Sequence, residues 1–239
     1  MSTDTAKAEA FYAEAIGWVA VEHTFPSGET STMFFAGDFP RGHLRAPQSD
    51  SEPNHWTSYL RVEDVAVSVA AAEANGGGIL IPSTDIDPGQ FAAVTSPSGS
   101  VLCLFHEADE ASGQNAPAGA GSVNWTELHS TDIDADLPWL TATFGFELSE
   151  MAIPNGGTYY MLNSGGQPRG GAVAAVSDEI AGRWLAWVQV DDVDAAVGRV
   201  TGGGGRVITQ PSDYPGVGRM SMVADPTGAT FGVITPARR

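Results

Sequence analysis

The chain has 239 residues, 42% of them hydrophobic and 17% charged, which is enough to bury a core and falls between one large domain and two ordinary ones. Eleven Lys and Arg against 29 Asp and Glu give a formal charge of −18, which repels a phosphate backbone and an anionic membrane surface and so argues against both as partners. The single cysteine, Cys103, excludes an internal disulfide and a cysteine-rich metal centre.

In chain order, the first predicted element is a helix in "TDTAKAEAFYAEAIGW" (3–18), where Asp4 can cap an alanine-rich stretch that Gly17 stops. The alternating strand "WTSYLRV" (56–62) leads to Asp64 and a helix on which Val65, Val69 and Ala72 share a face, ended by Asn75 and Gly76 to Gly78. A turn and strand, "SPSGSVLCLFHE" (96–107), precede the small, polar, unperiodic stretch "ADEASGQNAPAGAGS" (108–122), which reads as a linker. The series then runs again: strand "NWTELHS" (124–130), helix "TDIDADLPWLTATFGF" (131–146), strand "TYYMLN" (158–163), strand "WLAWVQV" (184–190), an Asp192-capped helix, and strands "RMSMVA" (219–224) and "ATFGVIT" (229–235). No apolar run approaches the roughly 18 to 20 residues of a membrane span, and the opening "MSTDTAKAEAFY" lacks the regions of a signal peptide, so the cytoplasm is the expected compartment.

The series repeats at fixed offsets. Asp4 lies 128 positions before Asp132 and Asp64 lies 128 before Asp192, while Asp4 to Asp64 and Asp132 to Asp192 are each 60. Four modules of the form βαβββ follow, grouped as 1–110, a linker at 111–121, and 122–239. The first module lacks the strand that would correspond to "SVNWTELHS" (122–130), which predicts a homodimer or an edge covered from within the chain.

The Thr-Asp helix starts, the "FY…GW" helix end, the "V(E/D)DV" junctions, the Gly-rich stops and the "(S/D)P(S/T)G" turns, in this order and twice over, resemble the vicinal oxygen chelate superfamily of glyoxalases, extradiol dioxygenases and bleomycin-resistance proteins. The resemblance implies an α+β fold in which paired modules make two curved-sheet domains, helices on the convex faces and ligand on the concave ones. It also implies metal-ligand positions at the start of a module's first strand and near the end of its last. Here those positions carry Thr57, Cys103, Trp125, Leu185 and Gly232, none of them His or Glu, so neither metal nor other cofactor is expected.

Strand alternation puts Trp125, Glu127 and His129 on one face and Thr126, Leu128 and Ser130 on the other. Registering Trp125 with the family's inward position turns the first trio toward the cavity, together with Leu185, Trp187 and Gln189, and with Thr57, Tyr59 and Arg61 in the first half. Arg219 is placed as an anion anchor and Met222 as an adaptable contact, while Cys103, with only apolar neighbours in "VLCLF", reads as a core thiol. His106 and Glu107, beyond the same strand, could chelate together with a ligand from elsewhere, though such a pair at a strand end is more often surface, and "GGGG" (202–205) follows a helix without the Lys of a phosphate loop.

Such a cavity suits a partly apolar, aromatic small molecule. Two functions remain: a metal-free binding protein that sequesters an aromatic metabolite or antibiotic, or an enzyme, a lyase, isomerase or oxygenase, working through Glu127 and His129 or through a metal site that the register misses.

Overall fold

The computed structural model describes residues 1–24, 28, 30–47, 49, 52–86, 89–107, 117–153 and 156–238. The first module comprises α1 (Thr5–Ile16), β1 (Val19–Thr24), β2 (Thr30–Ala36) and β3 (Phe39–Leu44). The second runs β4 (Tyr59–Arg61), α2 (Val65–Ala74), β5 (Gly78–Ile86), β6 (Gly89–Thr95) and β7 (Val101–Glu107). The third runs β8 (Val123–Ser130), α3 (Ile133–Phe144), β9 (Glu147–Ala152), β10 (Thr158–Ser164) and β11 (Gln167–Ala174). The fourth runs β12 (Arg183–Gln189), α4 (Val193–Gly202), β13 (Arg206–Val207), β14 (Ser212–Tyr214), β15 (Gly218–Ala224) and β16 (Thr230–Pro236), with β14 a short addition to the pattern.

The fold is mixed α+β and built from the repeat. The four helices of the described residues begin alike: the carboxylates of Asp4, Asp64, Asp132 and Asp192 accept from the backbone N–H three residues on, satisfying one of the donors that a helix start leaves open. Gly17 and Gly145 end α1 and α3 in the left-handed conformation that glycine adopts without penalty. In modules two to four the first strand pairs in parallel with the last, as in Tyr59 with Cys103, Glu127 with Gly171 and Trp187 with Gly232. The other sheet neighbours within a module are antiparallel.

The packing groups these modules differently from the division at the linker. One compact unit holds Met1–Trp56, Asn115–Asn124 and Ala186–Arg239; the other holds Thr57–Gln114 and Trp125–Leu185. The reason lies in the helices. In the first unit α1 and α4 share one core, in which Phe11, Tyr12 and Trp18 meet Val193, Val200, Phe231 and Val233. In the second, α2 and α3 share another, in which Val65, Val69 and Ala72 meet Trp139, Leu140, Leu102, Leu104 and Leu128. The unit boundaries fall inside the residue ranges of β8 and β12.

Of the linker, residues 108–116 lie outside the described set. Its last residues are tied down within the first unit, where Gly121 accepts from the Trp18 indole at 2.8 Å and donates to the Gln189 carbonyl at 2.7 Å. In the same unit the Ser2 N–H donates to the Arg45 carbonyl just past β3. No helix among the described residues is long and apolar enough to cross a membrane.

Candidate functional site

Alternation along β8 is strict. Leu128 is fully buried in the core under α2 and α3, and the neighbouring Ser130 hydroxyl donates to Asp136 on α3 at 2.6 Å. Thr126, Leu128 and Ser130 therefore face the helices, and Trp125, Glu127 and His129 face away from them.

On that opposite face the side chains are joined end to end. The Trp125 indole N–H donates to the Tyr159 hydroxyl at 2.7 Å, and Tyr159 donates to Glu127 Oε2 at 2.8 Å. Glu127 Oε1 in turn lies 2.9 Å from His129 Nε2. Both ends of the Glu127–His129 pair are withdrawn from solvent, with side-chain exposures of 7% and 2%, whereas Trp125 and Tyr159 are half-buried. His129 Nδ1 is buried with no hydrogen-bond partner among the described residues. Burial first, and the neighbouring Glu127 charge second, push the Tyr159 phenol well above its usual range, so it stays protonated and serves as a donor.

The room for Tyr159 comes from a glycine. A Cβ at Gly171, the residue of β11 paired with Glu127, would fall inside the Tyr159 phenol. In the first unit the same device recurs: a Cβ at Gly232 on β16 would fall inside the ring of Trp187, its partner on β12. Trp187 is 2% exposed, and its indole N–H is also buried without a partner among the described residues. Val188 and Val190 belong to the helix-side core, so Trp187 and Gln189 face away from it, and Gln189 Oε1 accepts from Asn124 at 3.3 Å.

In the second unit, Leu60 packs on the core and so turns Tyr59 and Arg61 to the face away from the helices, where both are exposed. The Tyr59 ring lies against Phe91 and Phe105. Cys103 is buried, and its alternation with the core residues Leu102 and Leu104 places it on the same face as its strand partner Tyr59, away from the helices; His106 Nδ1 meets the Val62 carbonyl at 3.0 Å.

Arg219 departs from the expectation of a ligand anchor. It shares strand parity with Val223, which lies in the helix-side core, and its guanidinium grips both Asp194 oxygens, at 2.6 and 2.8 Å, in the first turn of α4, with Asp213 at 3.1 Å. Two carboxylates on the helix side already satisfy the charge that an anionic ligand would need. Met222, of opposite parity, is half-buried on the other face.

The positions where the resemblance implies metal ligands do not form a donor set. Leu185 offers no donor atom, Gly232 lies under the Trp187 ring, and the Trp125 indole is a donor already committed to Tyr159. Thr57 and Cys103 leave one hydroxyl and one thiol, short of the three or four N, O or S ligands that a divalent transition metal takes. Among the described residues no three His, Cys, Asp or Glu side chains gather for such a site.

Two groups escaped the sequence reading. Tyr159 sits in a Tyr-Tyr pair whose members point to opposite faces, and the glycine that admits it is on another strand. Asp136, fully buried on α3, accepts from the Ser98 N–H, the Ser98 hydroxyl and the Ser130 hydroxyl, anchoring the "SPSG" turn to β8.

Comparison with known proteins agrees with this architecture. A family model described as the Glyoxalase/Bleomycin resistance protein/Dioxygenase superfamily matches residues 122–233. The chain is 31% identical over 241 residues to "Putative glyoxylase CFP32" of Mycobacterium tuberculosis, covering 99% of this chain and 92% of the relative. It is 27% identical over 249 residues to "Anthracycline biosynthesis protein DnrV" of Streptomyces peucetius, covering 98% and 90%. Among solved structures, the 2,3-dioxygenase LapB from Pseudomonas sp. KL28 shares the fold at a TM-score of 0.65 and 16% identity, covering 99% of this chain and 90% of that one. The Mn(II)-bound glyoxalase from Novosphingobium aromaticivorans does so at 0.65 and 17%, covering 98% and 79%.

Proposed function

Because the chain belongs to the glyoxalase/bleomycin resistance protein/dioxygenase superfamily, we propose that it keeps the fold's ligand-binding face and uses it, without a metal, to bind a small, partly aromatic organic molecule. The observation that carries this reading is the burial of Glu127 and His129 on the face of β8 that the helices do not need. Ionisable side chains are costly to bury, and this pair contributes nothing to the core around Leu128. The half-buried Trp125 and Tyr159 at the outer end of the chain offer flat surface for stacking. Relatives named for glyoxylase activity and for anthracycline biosynthesis are compatible with a small organic ligand.

The test is a thermal-shift screen of small aromatic and carbonyl compounds, since a ligand that binds the native state raises its melting temperature by mass action. Stabilisation by aromatic members supports the reading; a screen with no stabilising compound, or one in which only added divalent metal stabilises, contradicts it.

The 2.9 Å contact between Glu127 and His129 favours a second reading, an enzyme that transfers a proton at this site. A ligand proton would pass to the imidazole, leaving an anionic ligand and an imidazolium held by the Glu127 carboxylate. His129→Gln would then lower turnover by about 100-fold or more while leaving affinity within a few-fold.

A further inference from the structure

We propose that the site recognises a hydroxyl group of its ligand, of the phenol or enol class, through the unprotonated Nδ1 of His129, a lone pair that the Trp125–Tyr159–Glu127 chain fixes in place. The inference rests on the preceding reading that small molecules bind this face of β8, and narrows it to one chemical group.

The direction of the chain follows from what each group can donate. An indole N–H has no lone pair to offer, so Trp125 must donate to Tyr159 at their 2.7 Å contact. The Tyr159 hydroxyl, with that lone pair occupied, turns its own proton to Glu127 Oε2 at 2.8 Å. Glu127 is thereby the acceptor of the chain, and a carboxylate accepts at both oxygens. Its Oε1, 2.9 Å from His129 Nε2, accepts from Nε2, and in the neutral imidazole that contact places the hydrogen on Nε2 and leaves a lone pair on Nδ1.

Among the described residues that lone pair has no partner. Nδ1 is buried there without a hydrogen bond, on a side chain that is 2% exposed, and an unmet acceptor at this depth is costly unless something donates to it. A ligand O–H is the matching group. A carbonyl or ether oxygen offers no proton, and an ammonium would bring a charge into a site whose one carboxylate is already satisfied at both oxygens.

Two experiments test the proposal on the whole protein. The first is ¹⁵N NMR of the histidine ring nitrogens near neutral pH. An unprotonated-type signal at Nδ1 and a protonated-type signal at Nε2 of His129 are expected, with Glu127→Gln mixing the two tautomers; the opposite tautomer, or protonated-type signals at both nitrogens, in the wild-type protein would overturn the inference whatever the ligand.

The second compares phenol with anisole, its methyl ether, as probes. Phenol is expected to bind about tenfold more tightly and to move the His129 Nδ1 resonance, and Glu127→Gln to erase the difference. Equal binding of both probes overturns the hydroxyl assignment while leaving small-molecule binding in place. Failure of both to bind overturns the two readings together. Binding of phenol with the Nδ1 resonance unmoved also overturns the assignment, because an ordered water would then be the donor.

Discussion

His129 and Glu127 stand two residues apart on one face of β8, with Nε2 and Oε1 in contact at 2.9 Å, and the residue between them, Leu128, is fully buried against the helices. One strand thus serves two purposes: its even residues hold α2 and α3, and its odd residues build a polar chain on the opposite face. Stability and the proposed ligand recognition can therefore be tested separately by single substitutions along β8 and its neighbours.

Asp136 tests the stability side. Replacing it by Ala leaves the Ser98 N–H and the Ser98 and Ser130 hydroxyls without their buried acceptor. A loss of about 3 kcal/mol in urea denaturation is expected, with the face of Glu127 and His129 otherwise untouched. A loss within experimental error would show that this anchor is dispensable.

Tyr159 gives a pH signature. Its folded-state pKa lies above the unfolded value because burial, and then the Glu127 charge, disfavour the phenolate. The associated stability is fully present below the unfolded pKa of about 10 and is lost as pH rises beyond it, because the unfolded chain then releases a proton that the folded chain retains. Tyr12 on α1, buried and bonded to Asp225 at 2.9 Å, is shifted in the same direction. Tyr159→Phe should accordingly flatten part of the decline in stability between about pH 10 and 11.5, and the addition of Tyr12→Phe more of it. An unchanged slope in both variants would contradict the assignment.

Gly232 and Trp187 form a coupled pair. Gly232→Ala places a methyl group inside the Trp187 ring and should cost about 1 to 3 kcal/mol, much of it relieved when Trp187 is reduced to Leu. Strict additivity in the double-mutant cycle would show that the ring moves aside without strain.

The donor set predicts the response to chelator. If no ion is coupled to folding, as proposed, EDTA should leave the melting temperature unchanged, and purified protein should carry substoichiometric transition metal. A melting temperature that falls in EDTA and returns with one added metal would point to ligands other than the residues at the family positions.

Much of this was legible in the sequence, for reasons that differ by residue. The spacing of Asp4, Asp64, Asp132 and Asp192 revealed the modules, because each carboxylate caps a helix start and the fold needs one per module. Strand alternation placed Glu127 and His129 opposite Leu128 because a pleated strand allows no other choice. Arg219 was misplaced although the same rule applied to it: it shares parity with Val223 in the core, and its partner Asp194 lies on a helix that strand alternation does not register. Tyr159 could not be chosen over Tyr160 without knowing that Gly171 stands opposite Glu127. The grouping of the first module with the fourth was hidden for a similar reason, since it depends on α1 meeting α4 at a distance the sequence does not express.

The most direct measurement of the central claim is the affinity of the best small-molecule ligand from the thermal-shift screen, determined by calorimetry for the wild-type protein and for Trp125→Ala. If the face of β8 away from the helices is the binding face, removing the half-buried indole should weaken binding by about 1 to 3 kcal/mol, roughly 5- to 150-fold, with the native fold retained by circular dichroism. An affinity unchanged by the substitution would place the ligand elsewhere on the protein and contradict the account.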